Sequence, residues 1–156
     1  TLTGADLAQE TLFLDRLAVV ARAAHPLAQR PRLGWKDLRD AAWIMPMPNT
    51  PAQVAFEQAL RVAGIPIPAD ALRVNSALMM QALLARSDRL ALMSPRHLQD
   101  EIRAGLLVEL PVPVRHEPRM IGLVRRSDHL PTPAAQALLD ALRREARQIA
   151  GDTAAS

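Results

Sequence analysis

The sequence contains no cysteine and no tyrosine, and Lys36 is its only lysine. Without cysteine there is no disulfide framework, no thiolate nucleophile and no zinc–thiolate site. Aromatic residues make up 3% of the chain, too few for the platforms that stack single-stranded nucleic acid. The longest apolar run, ALMMQALLA at 77–85, contains Gln81 and falls short of the roughly 20 residues that cross a bilayer. The opening TLTGADLAQE lacks the basic region and apolar core of a signal peptide. There is no GxGxxG, Walker loop, GxSxG elbow or HExxH, so no enzyme signature is present.

What is there is an aliphatic, arginine-based globular composition. Apolar residues are 49% and charged residues 22% of the chain, far too apolar for disorder. The net charge is only +3, and Asp and Glu are interspersed with Arg, which leaves no basic footprint for nucleic acid. A chain of 156 residues suits one domain or two small lobes around a cleft.

Along the chain, strands and helices alternate. LFLDRLAVVAR at 12–22 ends in a valine-rich apolar run, the pattern of a strand buried on both faces, and His25-Pro26 ends it. GWKDLRD predicts a short helix with Trp35 and Leu38 on one face, followed by a second buried strand, AAWIMP at 41–46. Thr50 as N-cap and Pro51 at the first helical position start a helix to about Ala63, closed by Gly64. ALRVNS at 71–76 is a third strand, with Asn75 or Ser76 capping the helix ALMMQALLAR. RLALMS is a fourth, leading through Ser94-Pro95 into a helix closed by Gly105. This order predicts a parallel α/β sheet with helices on its faces. LLVELPVPV adds a short strand. Thr132-Pro133 starts a last helix, with Leu138, Leu139, Leu142, Ala146 and Ile149 at helical spacing and Arg143, Arg144 and Arg147 as a solvated face. The tail GDTAAS is expected to fray.

Few residues carry chemistry. His25, His97, His116 and His129 are too far apart in sequence for a local metal pair, and no metal or cofactor is expected. His25 and His129 read as strand-end side chains bonded to nearby backbone; the alternative is a ligand contact or a pH-sensitive hinge. Met79 and Met80 read as core, and Asp88 as a turn residue before its strand. What remains is a set of polar groups at the carboxyl ends of the predicted strands: Asn49 and Thr50 after the second, Asn75 and Ser76 after the third. Ligands bind at that edge of open α/β sheets, and helix amino termini there suit an anion. Pro46, Met47 and Pro48 would add an apolar wall.

Three longer stretches, DRLAVVARAAHPLAQRPRLGWKDLRDAAWIMP, LLARSDRLALMSPRHLQDEIRAGLLVELPV and IGLVRRSDHLPTPAAQALLDALR, resemble the effector-binding domain of LysR-type transcriptional regulators, in the family's order and over nearly the whole chain. The resemblance implies a type II periplasmic-binding-protein-like α/β fold, two lobes joined by two antiparallel crossover strands, with one lobe incomplete. It also offers a reason for a phrase that occurs twice, LAVVARAAHPL at 17–27 and IGLVRRSDHLP at 121–131. Leu17–Arg22 would carry the chain into the second lobe and Met120–Arg125 would carry it back. The implied division is 1–24 for the end of the first lobe and first hinge strand, 25–117 for the second lobe, and 118–156 for the return strand and last helix. The family's winged helix-turn-helix and the first part of its first lobe would precede Thr1.

The function implied is effector sensing in a cytoplasmic regulator, without catalysis. Its partners would be a small molecule, further copies of itself in a dimer or tetramer, and DNA held by the N-terminal domain. Family members dimerise through a helix like 52–63, where Val54, Phe56, Leu60 and Val62 cover more circumference than one core face needs. A solute-binding protein of a transport system shares the fold and is the alternative.

Overall fold

The computed structural model describes residues 6–114, 118–128 and 130–154, with backbone alone at Pro51 and at 151–154. The chain divides into two compact units, one formed by residues 1–15 with 118–156 and the other by residues 16–117.

The second unit is built on a five-stranded sheet. Its strands are β2 (Ala18–Arg22), β3 (Ala42–Pro46), β4 (Leu72–Val74), β5 (Arg89–Met93) and β6 (Leu107–Glu109), in the order β4-β3-β5-β2-β6. β3 runs parallel to β4 and β5, whereas β2 is antiparallel to both β5 and β6. The sheet is therefore mixed, not the all-parallel sheet that alternation predicts. Hydrophobic periodicity reports burial, and a strand buried on both faces reads alike in either direction.

Two cores line the two faces. On one, Val19, Trp43, Met45, Leu90 and Leu92 pack with Phe56 and Leu60 of α1 (Pro51–Val62). On the other, Val20, Ile44, Val74 and Ala91 pack with Leu84 of α2 (Ala77–Arg86) and Leu98. The period of two along β2 and β3 divides neighbours between the two faces, and aliphatic volume substitutes for the scarce aromatics. Trp43 anchors the first core, stacked on Trp35 with ring centroids 6.4 Å apart and edge-to-face with Phe56 at 5.3 Å. The segment GWKDLRD forms a short 3-10 turn over Trp35–Leu38, with Leu38 fully buried and the Trp35 indole N–H donating to the Pro113 carbonyl at 2.9 Å.

The helix ends follow the capping residues. Gly64 and Gly105 take positive φ, +70° and +69°, after α1 and after α3 (Gln99–Arg103). A side chain with Cβ would pay for that left-handed backbone. Pro95–Leu98 forms a 3-10 turn leading directly into α3.

The first unit holds β1 (Leu7–Asp15) paired antiparallel with β7 (Arg119–Arg126), and α4 (Pro133–Ala154). A bulge interrupts the ladder between Thr11 and Phe13. Two strands and one helix cannot enclose a core, so Leu14, Met120, Val124 and Leu138 stay exposed and, among the described residues of α4, Ala146 alone is buried.

Five expectations need correction. The stretch 12–22 is not one strand: it breaks at Arg16-Leu17, where β1 ends in one unit and β2 begins in the other. Leu17–Arg22 is therefore not the partner of the returning strand, since β7 pairs with Leu7–Asp15 and β2 lies inside the five-stranded sheet. For the same reason the second unit starts at Arg16 rather than His25. Arg143, expected on a solvated face, instead holds Glu10 of β1. At the carboxyl end, helix continues through Ala154 where fraying was expected; Ala155 and Ser156 lie outside the described residues.

Candidate functional site

The carboxyl edge of the five-stranded sheet gathers the polar turns. In the parallel pair of β3 and β4, Pro46 is the register partner of Val74. The turn Met47–Thr50 and the turn Asn75-Ser76 therefore leave the sheet side by side. The two stretches lie 25 or more positions apart in sequence, and only the ladder brings them together.

Each turn is shaped by its helix. Thr50 Oγ1 accepts from the Gln53 N–H at 3.1 Å and donates to the Met47 carbonyl at 2.9 Å. The Gln53 side chain reaches back to accept from the Asn49 N–H at 2.7 Å and donates to Glu57 Oε1 at 2.6 Å. This is the reciprocal logic of a capping box, shifted by one residue. It holds Asn49 at φ +63°, a left-handed conformation that asparagine tolerates better than most residues. Ser76 Oγ accepts from the Met79 N–H at 3.3 Å and so caps α2. Thr50 and Ser76 thus cap helices, as their position before an apolar run suggests, while Asn75 is exposed. Pro46 is half-buried, and Met47 and Pro48 are exposed beside it, so an apolar surface adjoins the polar groups.

Two further groups on this edge were not among the sequence candidates. Ser94 follows β5, is buried, and its Oγ accepts from the Arg96 N–H at 3.3 Å. The dipeptide Ser94-Pro95 carried the signal, the same one that marks Thr50-Pro51. Arg73 of β4 extends to the Pro46 carbonyl, Nη1 donating at 3.3 Å. No local pattern announces it, because its position depends on strand register.

The opposite edge is locked rather than open. His25 is buried; its Nδ1 accepts from the Leu27 N–H at 3.0 Å, which leaves Nε2 to donate to the Asp88 carbonyl at 3.2 Å. Arg22 Nε donates to Asp88 Oδ1 at 2.7 Å, and this bond holds the Asp88 carboxyl below the usual carboxylate range. Asp88 does precede its strand, but as a tie between β2 and β5 more than as a simple turn. His25 is thus a strand-end side chain bonded to backbone; His116 and His129 lie outside the described residues. Among the described residues no group of His, Asp or Glu is placed to hold a metal ion. Met79, expected in the core, is 56% exposed on α2, while Met80 packs against the second core.

A mixed α/β sheet with capped helix starts collected at one edge accords with a fold like that of the type II periplasmic binding proteins. The model of the family described as LysR substrate binding domain matches residues 2–147. The chain belongs to that family. It is 35% identical over 138 residues to the HTH-type transcriptional regulator GalR of Pseudomonas putida KT2440, covering 88% of this chain and 34% of the relative. It is 28% identical over 135 residues to the HTH-type transcriptional regulator YdcI of Escherichia coli K12, covering 86% of this chain and 44% of that protein. The chain thus spans less than half the length of these curated relatives. Among solved structures it resembles the CcmR regulatory domain of Synechocystis PCC6803 in complex with 2-PG, with a TM-score of 0.75, 20% identity, and coverage of 90% of this chain and 67% of that one. These likenesses favour a regulator's domain over a transport protein of the same fold.

Proposed function

We propose that this chain is the effector-sensing part of a LysR-type, DNA-binding transcriptional regulator, acting in the cytoplasm without catalysis of its own. A small anion with a modest apolar body is the effector. It binds at Asn49-Thr50 and Asn75-Ser76, against the apolar wall of Pro46, Met47 and Pro48. Binding alters the setting of the lobes and so of the oligomer, and the altered oligomer repositions an N-terminal DNA-binding domain outside this chain.

The observation that carries this reading is the Pro46–Val74 register, which sets the two strand-to-helix turns side by side at one edge of the sheet. Partial positive charge and N–H donors then face one ligand. The described neighbour in complex with 2-PG supports a small-molecule occupant. Self-association is supported by α1, where Phe56 and Leu60 are buried but Val54 and Val62 are 62% and 59% exposed. One face thus serves the core and another remains for a second copy.

A thermal-shift screen of small carboxylates, sugars and sulfonates tests the reading. Stabilisation by carboxylates and not by sugars supports it; stabilisation by neutral sugars alone overturns the anion preference.

A further inference from the structure

We infer that Arg73 sets the charge preference of the candidate site, a step that rests on the reading of the carboxyl edge as the effector site. Arg73 lies on the edge strand β4, one position before Val74, the register partner of Pro46. Its side chain crosses to β3 and donates from Nη1 to the Pro46 carbonyl at 3.3 Å. The guanidinium therefore stands where the chain turns from β3 into Met47–Thr50.

Two arginines donate to a backbone carbonyl and to no carboxylate among the described residues: Arg73, and Arg89 at the opposite edge, where β5 begins, whose Nη1 reaches the Trp43 carbonyl at 3.3 Å. Arg16 adjoins the same edge, because Ala18 pairs with Met93 at the end of β5, but its guanidinium is bound to Glu109 at 2.7 Å. Arg22, Arg30, Arg119, Arg126 and Arg143 each hold a carboxylate too. Arg73 bonds a neutral carbonyl and, among the described residues, no carboxylate. The contact engages one of five N–H donors, and the side chain is exposed, so the rest of the fork can receive a second acceptor.

A carboxylate seated between the two turns would meet helix-terminal N–H groups on one side and this fork on the other. The dipoles alone would tolerate a neutral amide; the full charge of Arg73 discriminates against it.

Benzoate and benzamide, alike in shape and different in charge, make the test, titrated by calorimetry into the whole chain. The parent should bind benzoate at least tenfold more tightly than benzamide. Arg73→Gln should lower benzoate affinity by about tenfold or more and leave benzamide unchanged. Arg73→Lys, which keeps the charge, should retain most of the preference. Circular dichroism should show the variants folded, as expected for an exposed side chain. Equal loss of both probes, or an unchanged benzoate preference in Arg73→Gln, overturns this inference and leaves the edge site standing if Thr50→Ala weakens benzoate. A parent that does not bind benzoate overturns the anion reading and this inference with it.

Discussion

Arg143 of α4 grips Glu10 of β1 through two hydrogen bonds, Nε to Oε1 at 2.8 Å and Nη2 to Oε2 at 2.7 Å. The same guanidinium donates to Asp140 at 2.9 Å. Geometry of this bidentate kind is the form in which a surface ion pair counts. It joins the helix to the strand in a unit that buries little apolar surface.

The pair has a pH signature. The hydrogen bond from Arg143 holds the Glu10 carboxyl below its ordinary range. A carboxyl with a lowered folded value stabilises the fold above its unfolded value and loses that contribution as pH falls through the folded one. Glu10→Gln should melt below the parent at neutral pH, and the gap in melting temperature should close in acid. A gap constant with pH would mean that the carboxylate charge contributes nothing.

Thr50→Ala and Ser76→Ala should each cost about 1 kcal/mol in urea unfolding, the usual value of an N-cap. Thr50→Ser should recover most of it. If the edge also holds the effector, each alanine variant weakens effector binding about ten- to hundredfold in calorimetry. Unaltered affinity with lowered stability would leave these residues as caps alone.

Asn49, at φ +63°, should accept glycine without loss. Asn49→Ala should cost roughly 1 kcal/mol because alanine keeps the Cβ that crowds a left-handed backbone and loses the short polar side chain with which asparagine favours it. Chemical denaturation of the two variants side by side reads the difference directly.

Gly122 faces the β1 bulge, and a Cβ there would lie 2.3 Å from the Glu10 carbonyl oxygen. Since backbone must move to admit it, Gly122→Ala should destabilise the first unit by about 1–3 kcal/mol. Amide exchange should then rise along β1 and β7 while β2–β6 stay protected. Uniform change in both units would show them to unfold as one.

Limited proteolysis should leave a fragment containing β2 through Val114, because its strands alternate with buried helices. First cuts inside α1 or α2 would contradict the division at Arg16.

Much of this architecture is legible in the sequence, and the reasons are local. Thr50-Pro51, Ser76 and Gly64 announce helix limits because capping depends on neighbouring residues. AAWIMP and RLALMS read as strands because burial on both faces needs an unbroken apolar run. The direction of β2 was not legible, since a run such as LAVVA is compatible with parallel and antiparallel neighbours alike. Arg73 and Arg143 were invisible as contributors for a related reason. Their partners, Pro46 and Glu10, are fixed by strand register and helix docking, which no sequence spacing encodes. The helix caps at the sheet edge could thus be read in advance, and the reach of Arg73 to Pro46 could not.

The placement of β2 between β5 and β6 also bears on how the molecule assembles. The strand is made before both of its neighbours, which come from much later in the chain. During synthesis its Val19 and Val20 have no ladder to join until Met93 and then Glu109 have emerged, so the sheet closes around its first strand last. Contacts so distant in sequence cost loop entropy before they contribute stability, which makes for slow folding. A nascent chain stopped before β6 would present β2 with one edge open, and that edge is the place where a chaperone or a second nascent chain would engage it.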